Sequence, residues 1–194
     1  MRIAMVGTRG VPAGVGGAER VVESLTRELV GLGHEVIVYG RSHYLGPDPR
    51  PRAGRVILTP GLGGKHLDTI THTATAMLDV LRRRADVVHL HSPGPAVLSW
   101  MPWLAGLPTV LTVHGADWNR RKWARPARMV LEMGLRAGMR LADVVTAVSH
   151  PLAEELKRRF GREVACVANA PDAPTPPESG FLARLGLAPD GYGL

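Results

Sequence analysis

Short apolar runs alternate along the chain with longer stretches of helical periodicity. The runs lie at residues 2–6, 35–39, 55–58, 86–90, 109–113, 143–147 and 163–167, and most are apolar almost throughout, as strands covered on both faces are. Between the first two runs, Val21, Val22, Leu25, Leu29 and Leu32 share one face of a helix from about Ala18, with Gly33 as its stop. Leu67, Ile70, Ala74, Met77, Leu78 and Leu81 form a second stripe that ends in Arg82, Arg83 and Arg84, where cations complement a helix C-terminus. Residues 95–104 read as one short apolar helix, with Trp100 and Trp103 as packing residues. Trp123, Ala127, Val130, Leu131, Leu135 and Met139 mark a long helix over 121–141, and Ser149 caps another over 151–160 with Pro151 in its first turn. This alternation predicts an α/β protein, a Rossmann-like open parallel sheet of about seven strands with helices on both faces. Cys166 falls on the last strand and reads as a packed residue without chemistry.

After Val167 the pattern stops, and a Pro-rich stretch beginning Ala170-Pro171-Asp172 carries no core-forming periodicity. The expected organisation is a domain over residues 1–170, with 171–194 a linker and the start of a further domain. The composition, 45% hydrophobic and 21% charged, is that of a globular protein. Lys and Arg exceed Asp and Glu by 24 to 17, and the resulting +7 favours anionic partners. Aromatics at 5% are too sparse for a stacking platform, and the cations are spread over helix ends, so nucleic acid is not an expected partner. One cysteine permits no internal disulfide, no secretory leader opens the sequence, and no window approaches a membrane span. These point to the cytoplasm, with peripheral association at an anionic membrane surface left open.

The loop Gly7-Thr8-Arg9-Gly10-Val11-Pro12-Ala13-Gly14-Val15-Gly16-Gly17 joins the first strand to the first helix. Its glycines and the helix N-terminus suit a phosphate or diphosphate; a ligand-free glycine turn is the alternative. Glu19 stands at the third glycine position of a dinucleotide fingerprint, and the second strand ends Tyr39-Gly40-Arg41 without a ribose-binding acid, so no NAD is expected. The P-loop pattern is absent as well. His89, His91, His114 and Asp117 lie at predicted strand ends and share a rim; they would serve as a site, as a less favoured metal centre, or in part as packing. Lys65 and His66, ahead of the second helix, either meet an anion or substrate hydroxyl or belong to an ordinary basic loop. Trp118, Arg120, Arg121, Lys122 and Trp123 interleave aromatic and basic side chains, a surface suited to sugar stacking, phosphate contact or a lipid headgroup layer.

Taken together, these segments resemble the N-terminal domain of retaining, nucleotide-sugar-dependent glycosyltransferases of the GT-B fold. Gly16-Gly17-Ala18-Glu19-Arg20 and Gly33-His34-Glu35-Val36 are similar to family elements around the first helix and second strand. Val87-Val88-His89-Leu90-His91, Thr112-Val113-His114-Gly115 and Ala147-Val148-Ser149 are similar to its strand ends. Lys65-His66-Leu67-Asp68-Thr69 and His114-Gly115-Ala116-Asp117-Trp118 resemble a bacterial subgroup associated with surface polysaccharide.

The resemblance implies one half of a GT-B fold, with a C-terminal domain that holds most nucleotide contacts. It implies a donor diphosphate on the backbone N–H groups of Gly16 and Gly17, and His114 hydrogen-bonded to the transferred sugar as the catalytic residue. Arg9, Lys65, His66, Asp68, His91 and Asp117 would face the acceptor or substrate side. The co-substrate would be a nucleotide-diphosphate sugar, with no further cofactor and no metal, and the acceptor a saccharide or lipid-linked saccharide. Two features depart from the family pattern. Ala168-Asn169-Ala170-Pro171-Asp172 replaces the usual Pro-Asn-Gly-Val-Asp, and Glu155 and Glu163, though eight apart like the family's Glu pair, fall on a charged helix and at a strand start. A non-catalytic acceptor- or phosphate-binding module and a metal-dependent hydrolase are the competing classes.

Overall fold

A computed structural model describes residues 1–14, 16–62, 67–116, 118, 124–169, 184 and 186. All seven predicted strands form, as β1 (Arg2–Val6), β2 (Glu35–Arg41), β3 (Arg55–Thr59), β4 (Val87–His91), β5 (Thr109–Val113), β6 (Val144–Ala147) and β7 (Ala165–Cys166). They make one parallel sheet in the order β3-β2-β1-β4-β5-β6-β7. The helices are α1 (Gly17–Gly31), α2 (Ser42–Leu45), α3 (Leu67–Arg83), α4 (Pro93–Ala96), α5 (Trp100–Leu104), α6 (Arg125–Leu141) and α7 (His150–Phe160).

Residues paired in register share a face of the sheet, and the two faces carry separate cores. On one, Ala4, Val6, Ile37, Tyr39, Val88, Leu90, Leu111, Val113, Val145 and Ala147 pack with Met77 and Val80 of α3, Leu135 and Met139 of α6, and Leu152 and Leu156 of α7. On the other, Ile3, Met5, Val36 and Val38 pack with Val22 of α1. Val144 and Val167 point away from the larger core and are exposed.

Helix ends follow local chemistry. Gly33, at φ +85°, donates its N–H to Val30, while His34 donates to Leu29, so the expected glycine stop of α1 is a paired backbone reversal. Ser149 holds the first position before α7, but its hydroxyl makes no capping hydrogen bond, contrary to expectation.

The helix expected over 95–104 is instead two short ones. Ser92 enters α4 at φ +77°, and Ser99, fully buried, turns its hydroxyl back to the Ala96 carbonyl between α4 and α5. A Cβ on Gly134 of α6 would collide with the Pro93 carbonyl, so α6 crosses α4 at backbone contact. The tryptophan expectations also reverse. Trp100 and Trp103 on α5 are 47% and 57% exposed, whereas Trp118 is buried in the larger core with the Arg159 guanidinium 5.7 Å from its ring centre. Arg120, Arg121, Lys122 and Trp123, the rest of that stretch, lie outside the described residues.

Candidate active site

β1 and β4 are neighbours, yet the chain leaves them in opposite directions: α1 leads to β2 on one side and α4 to β5 on the other. Such a reversal opens a crevice beyond the carboxyl ends of the strands, where ligands of open α/β sheets bind. Gly7 follows β1 at φ +116°, and a Cβ there would stand 2.5 Å from the His91 carbonyl oxygen and 2.8 Å from Pro95 Cγ. The glycine lets the ends of β1 and β4 close on each other. Beyond it the loop reaches Gly16, which precedes α1, and Gly17, its first residue. Glu19 folds its carboxylate back over Gly16 and accepts a hydrogen bond from the Arg9 N–H at 3.3 Å. An anion arriving at this N-terminus would therefore meet the Glu19 carboxylate as well as the backbone donors of α1.

Three imidazoles line the other side of the switch point. His89 and His91, two apart on β4, stack with ring centres 4.2 Å apart, and His91 and His114 follow at 5.4 Å. His91 Nδ1 and His114 Nε2 are 3.1 Å apart and share one hydrogen, and His91 Nε2 lies 3.5 Å from Met5 Sδ. His89 Nε2 pairs with Thr112 Oγ1 at 2.7 Å, and that hydroxyl with Thr146 Oγ1 at 2.7 Å. Burial is the main cause that holds His89 down to about 4 and His91 well below the ordinary histidine value, and the neighbouring imidazoles add to it. His89 and His91 are therefore neutral at physiological pH. They can relay hydrogen-bond polarity without introducing charge of their own. Among the described residues no group of three or more His, Cys, Asp or Glu is placed to hold a metal ion.

On the opposite face, at the ends of β2 and β3, Arg41 and Asp68 form an almost completely buried ion pair at 2.6 Å, and Arg41 Nη2 also donates to Thr69 Oγ1 at 3.2 Å. The second Asp68 oxygen accepts no hydrogen bond among the described residues, although His43 Nε2 lies 3.5 Å away. His72 is fully buried beside them, its ring nitrogens near the Gly40 backbone without a well-formed hydrogen bond; burial, then Arg41, hold it down to about 4. Tyr44 covers the cluster from α2, with Arg9 at 4.8 Å and Arg41 at 5.9 Å from its ring centre.

Of the expected set, Gly16, Gly17 and Arg9 lie on the segment that follows β1, and His91 and His114 meet at the ends of β4 and β5. His91 is fully buried and reaches the rim only through His114, which is half-buried. Asp68 is engaged by Arg41. Lys65, His66 and Asp117 lie outside the described residues. Sequence reasoning included Gly7 only as one of the loop glycines and gave no role to Arg41 or His72. Arg41 and Asp68 are 27 residues apart, and nothing local announces their pairing.

These features define the N-terminal half of a GT-B fold. Residues 15–173 match glycosyltransferase family 4, and the chain belongs to that family. Among solved structures it is similar to the sucrose-phosphate synthase of Thermosynechococcus elongatus, at 18% identity and a TM-score of 0.68 over 97% of this chain and 53% of that one. It is also similar to Anabaena Alr3699/HepE, solved in complex with UDP and glucose, at 15% identity and a TM-score of 0.65 over 95% of this chain and 50% of that one. The UDP-GlcNAc 2-epimerase of Methanocaldococcus jannaschii aligns at 14% identity and a TM-score of 0.55, covering 87% and 46%. The chain spans about half the length of these structures. The epimerase shares the fold, so the fold alone does not choose a reaction. No curated protein matches the sequence.

Proposed function

We propose that this domain is the acceptor-side half of a retaining glycosyltransferase that takes a sugar from a nucleotide-diphosphate sugar and passes it to a saccharide or lipid-linked saccharide. The observation that carries the reading is the meeting, at the β1/β4 switch point, of a glycine loop with helix donors and an imidazole rim. Family membership supports it.

In this reading the donor diphosphate lies against Gly16 and Gly17, whose N–H groups stabilise the charge that grows as the glycosidic bond breaks. The acceptor hydroxyl oxygen attacks the anomeric carbon on the face that the diphosphate leaves, and a leaving phosphate oxygen takes the acceptor's proton. His114 hydrogen-bonds the transferred sugar, held by His91. His91 is oriented by Met5 and by its own place on β4. Arg9, Lys65, His66 and Asp117 face the acceptor, and Asp68 contributes by holding Arg41. The Arg120–Lys122 stretch would meet an anionic membrane surface if the acceptor is lipid-linked. A second domain would supply the base and ribose contacts.

Turnover of a panel of nucleotide sugars, measured for residues 1–194 alone and with a supplied C-terminal domain, tests this. Negligible turnover alone and sugar transfer with the second domain are expected. Robust turnover by the 194 residues alone, or hydrolysis without transfer in both, would refute it.

A further inference from the structure

Arg162 reaches the C-terminus of α6 and donates to the carbonyls of Met139, Ala142 and Asp143. Asp143 directly precedes β6, so this is the end of the sheet from which β6 starts, opposite the crevice. Here α6 and α7 border a cavity of about 600 Å³ lined by Arg136, Met139, Arg140, Arg159, Phe160 and Arg162. Four of the six lining residues are arginines and none is acidic; Arg136 and Arg159 both pair with Glu132, and Arg140 makes no ion pair among the described residues. Guanidiniums do not deprotonate in proteins, so the excess positive charge is permanent. Four like charges around one cavity repel one another, and an anion relieves that repulsion.

The geometry suits a particular kind of anion. Arg162 is fixed by three backbone carbonyls and Arg159 by Glu132 and the rings of Trp118 and Phe160, so two of the forks are held before any ligand arrives. Guanidinium forks match the paired oxygens of a phosphate. The volume lies within the range of small-molecule sites and exceeds what a single inorganic phosphate fills. Met139 and Phe160 supply an apolar wall. We propose that this cavity binds an anion carrying more than one phosphate oxygen cluster or a phosphate joined to an apolar body, independently of the crevice. The shared chemistry is phosphate, from a soluble diphosphate or from a lipid headgroup.

The test uses the 194-residue chain at low salt, followed by amide NMR, with inorganic pyrophosphate in one arm. Phosphatidylcholine vesicles with and without phosphatidylglycerol form the other. The expected result is saturable shifts at residues 136–140 and 159–162, weakened at least about tenfold in R136Q/R140Q with an unchanged melting temperature, and retained in Gly16→Val. Shifts with phosphatidylglycerol vesicles only, lost in the double variant, would assign the site to a lipid headgroup. Shifts with pyrophosphate only would assign it to a soluble ligand. No saturable shift in either arm, or equal shifts in R136Q/R140Q, would overturn the proposal.

Discussion

The polar groups buried near the crevice fall into two clusters that solve the same problem differently. In the imidazole row, His89 and His91 are held neutral by burial, and the row is tied together by the strand-to-strand contact of His89 with Thr112 and by the His91–His114 hydrogen bond. The Arg41–Asp68 pair carries full charges and is closed in by His43, Tyr44 and His72. A polar network whose end member is only half-buried can take a ligand as its last hydrogen-bond partner, whereas a buried ion pair depends on both partners remaining in place. In the proposed reading, the difference separates His114, half-buried at the rim, from Asp68, buried against Arg41.

The contrast is broken most sharply at Asp68. Asp68→Ala leaves the Arg41 guanidinium buried without its partner and should cost about 3–5 kcal/mol of stability, measured by denaturant unfolding of the 194-residue chain. A loss below about 1 kcal/mol, the worth of an exposed pair, would show that water already reaches the pair.

Acid should expose the second difference. His72 titrates at about 4 in the folded protein, against an ordinary 6.5. As pH falls below 6.5, the unfolded chain takes up a proton that the folded state refuses. Stability is therefore full above pH 6.5 and drains toward pH 4, by on the order of 3 kcal/mol from His72 alone. His89 and His91 add in the same direction. His72→Leu should flatten the slope of unfolding free energy between pH 6.5 and 4; an unchanged slope would place the proton uptake elsewhere.

A smaller effect is expected at the loop. In a protein supplied with a C-terminal domain, Gly16→Val would thrust a side chain into the Glu19 carboxylate and, in the proposed reading, into the space of the donor diphosphate. Nucleoside-diphosphate affinity should fall at least about tenfold, about 1.4 kcal/mol, by calorimetric titration at a temperature where both proteins are folded. Equal affinity would detach the diphosphate from this loop.

These clusters were unequally legible in the sequence. Strands and long helices follow from periodicity, because apolar runs covered on both faces and 3.6-residue stripes are local properties. The glycine loop and strand-end histidines were visible for the same reason. Strand order, the Arg41–Asp68 pair and the close approach of Gly7 to His91 depend on contacts between distant segments. Tryptophan misled in both directions. Apolarity placed Trp100 and Trp103 inside, but the break at Ser99 turns the short α5 outward; basic neighbours placed Trp118 outside, but it fills the core beside Arg159. A side chain's own polarity decided less than the geometry of the short segment carrying it.

The most direct measurement is the pair of kinetic and thermal profiles of His114→Ala in a longer protein with its second domain. Half-buried at a strand end, His114 contributes little packing, but its loss leaves His91 Nδ1 without its partner, so stability should fall by about 1–3 kcal/mol, leaving the protein folded at assay temperature. The kcat and kcat/KM for sugar transfer should fall together, by at least about tenfold, as for a contact made mainly in the transition state. Wild-type kinetics in the variant, or a loss of activity matched by a loss of folding, would contradict the account and leave the imidazole row a structural feature like the ion pair opposite it.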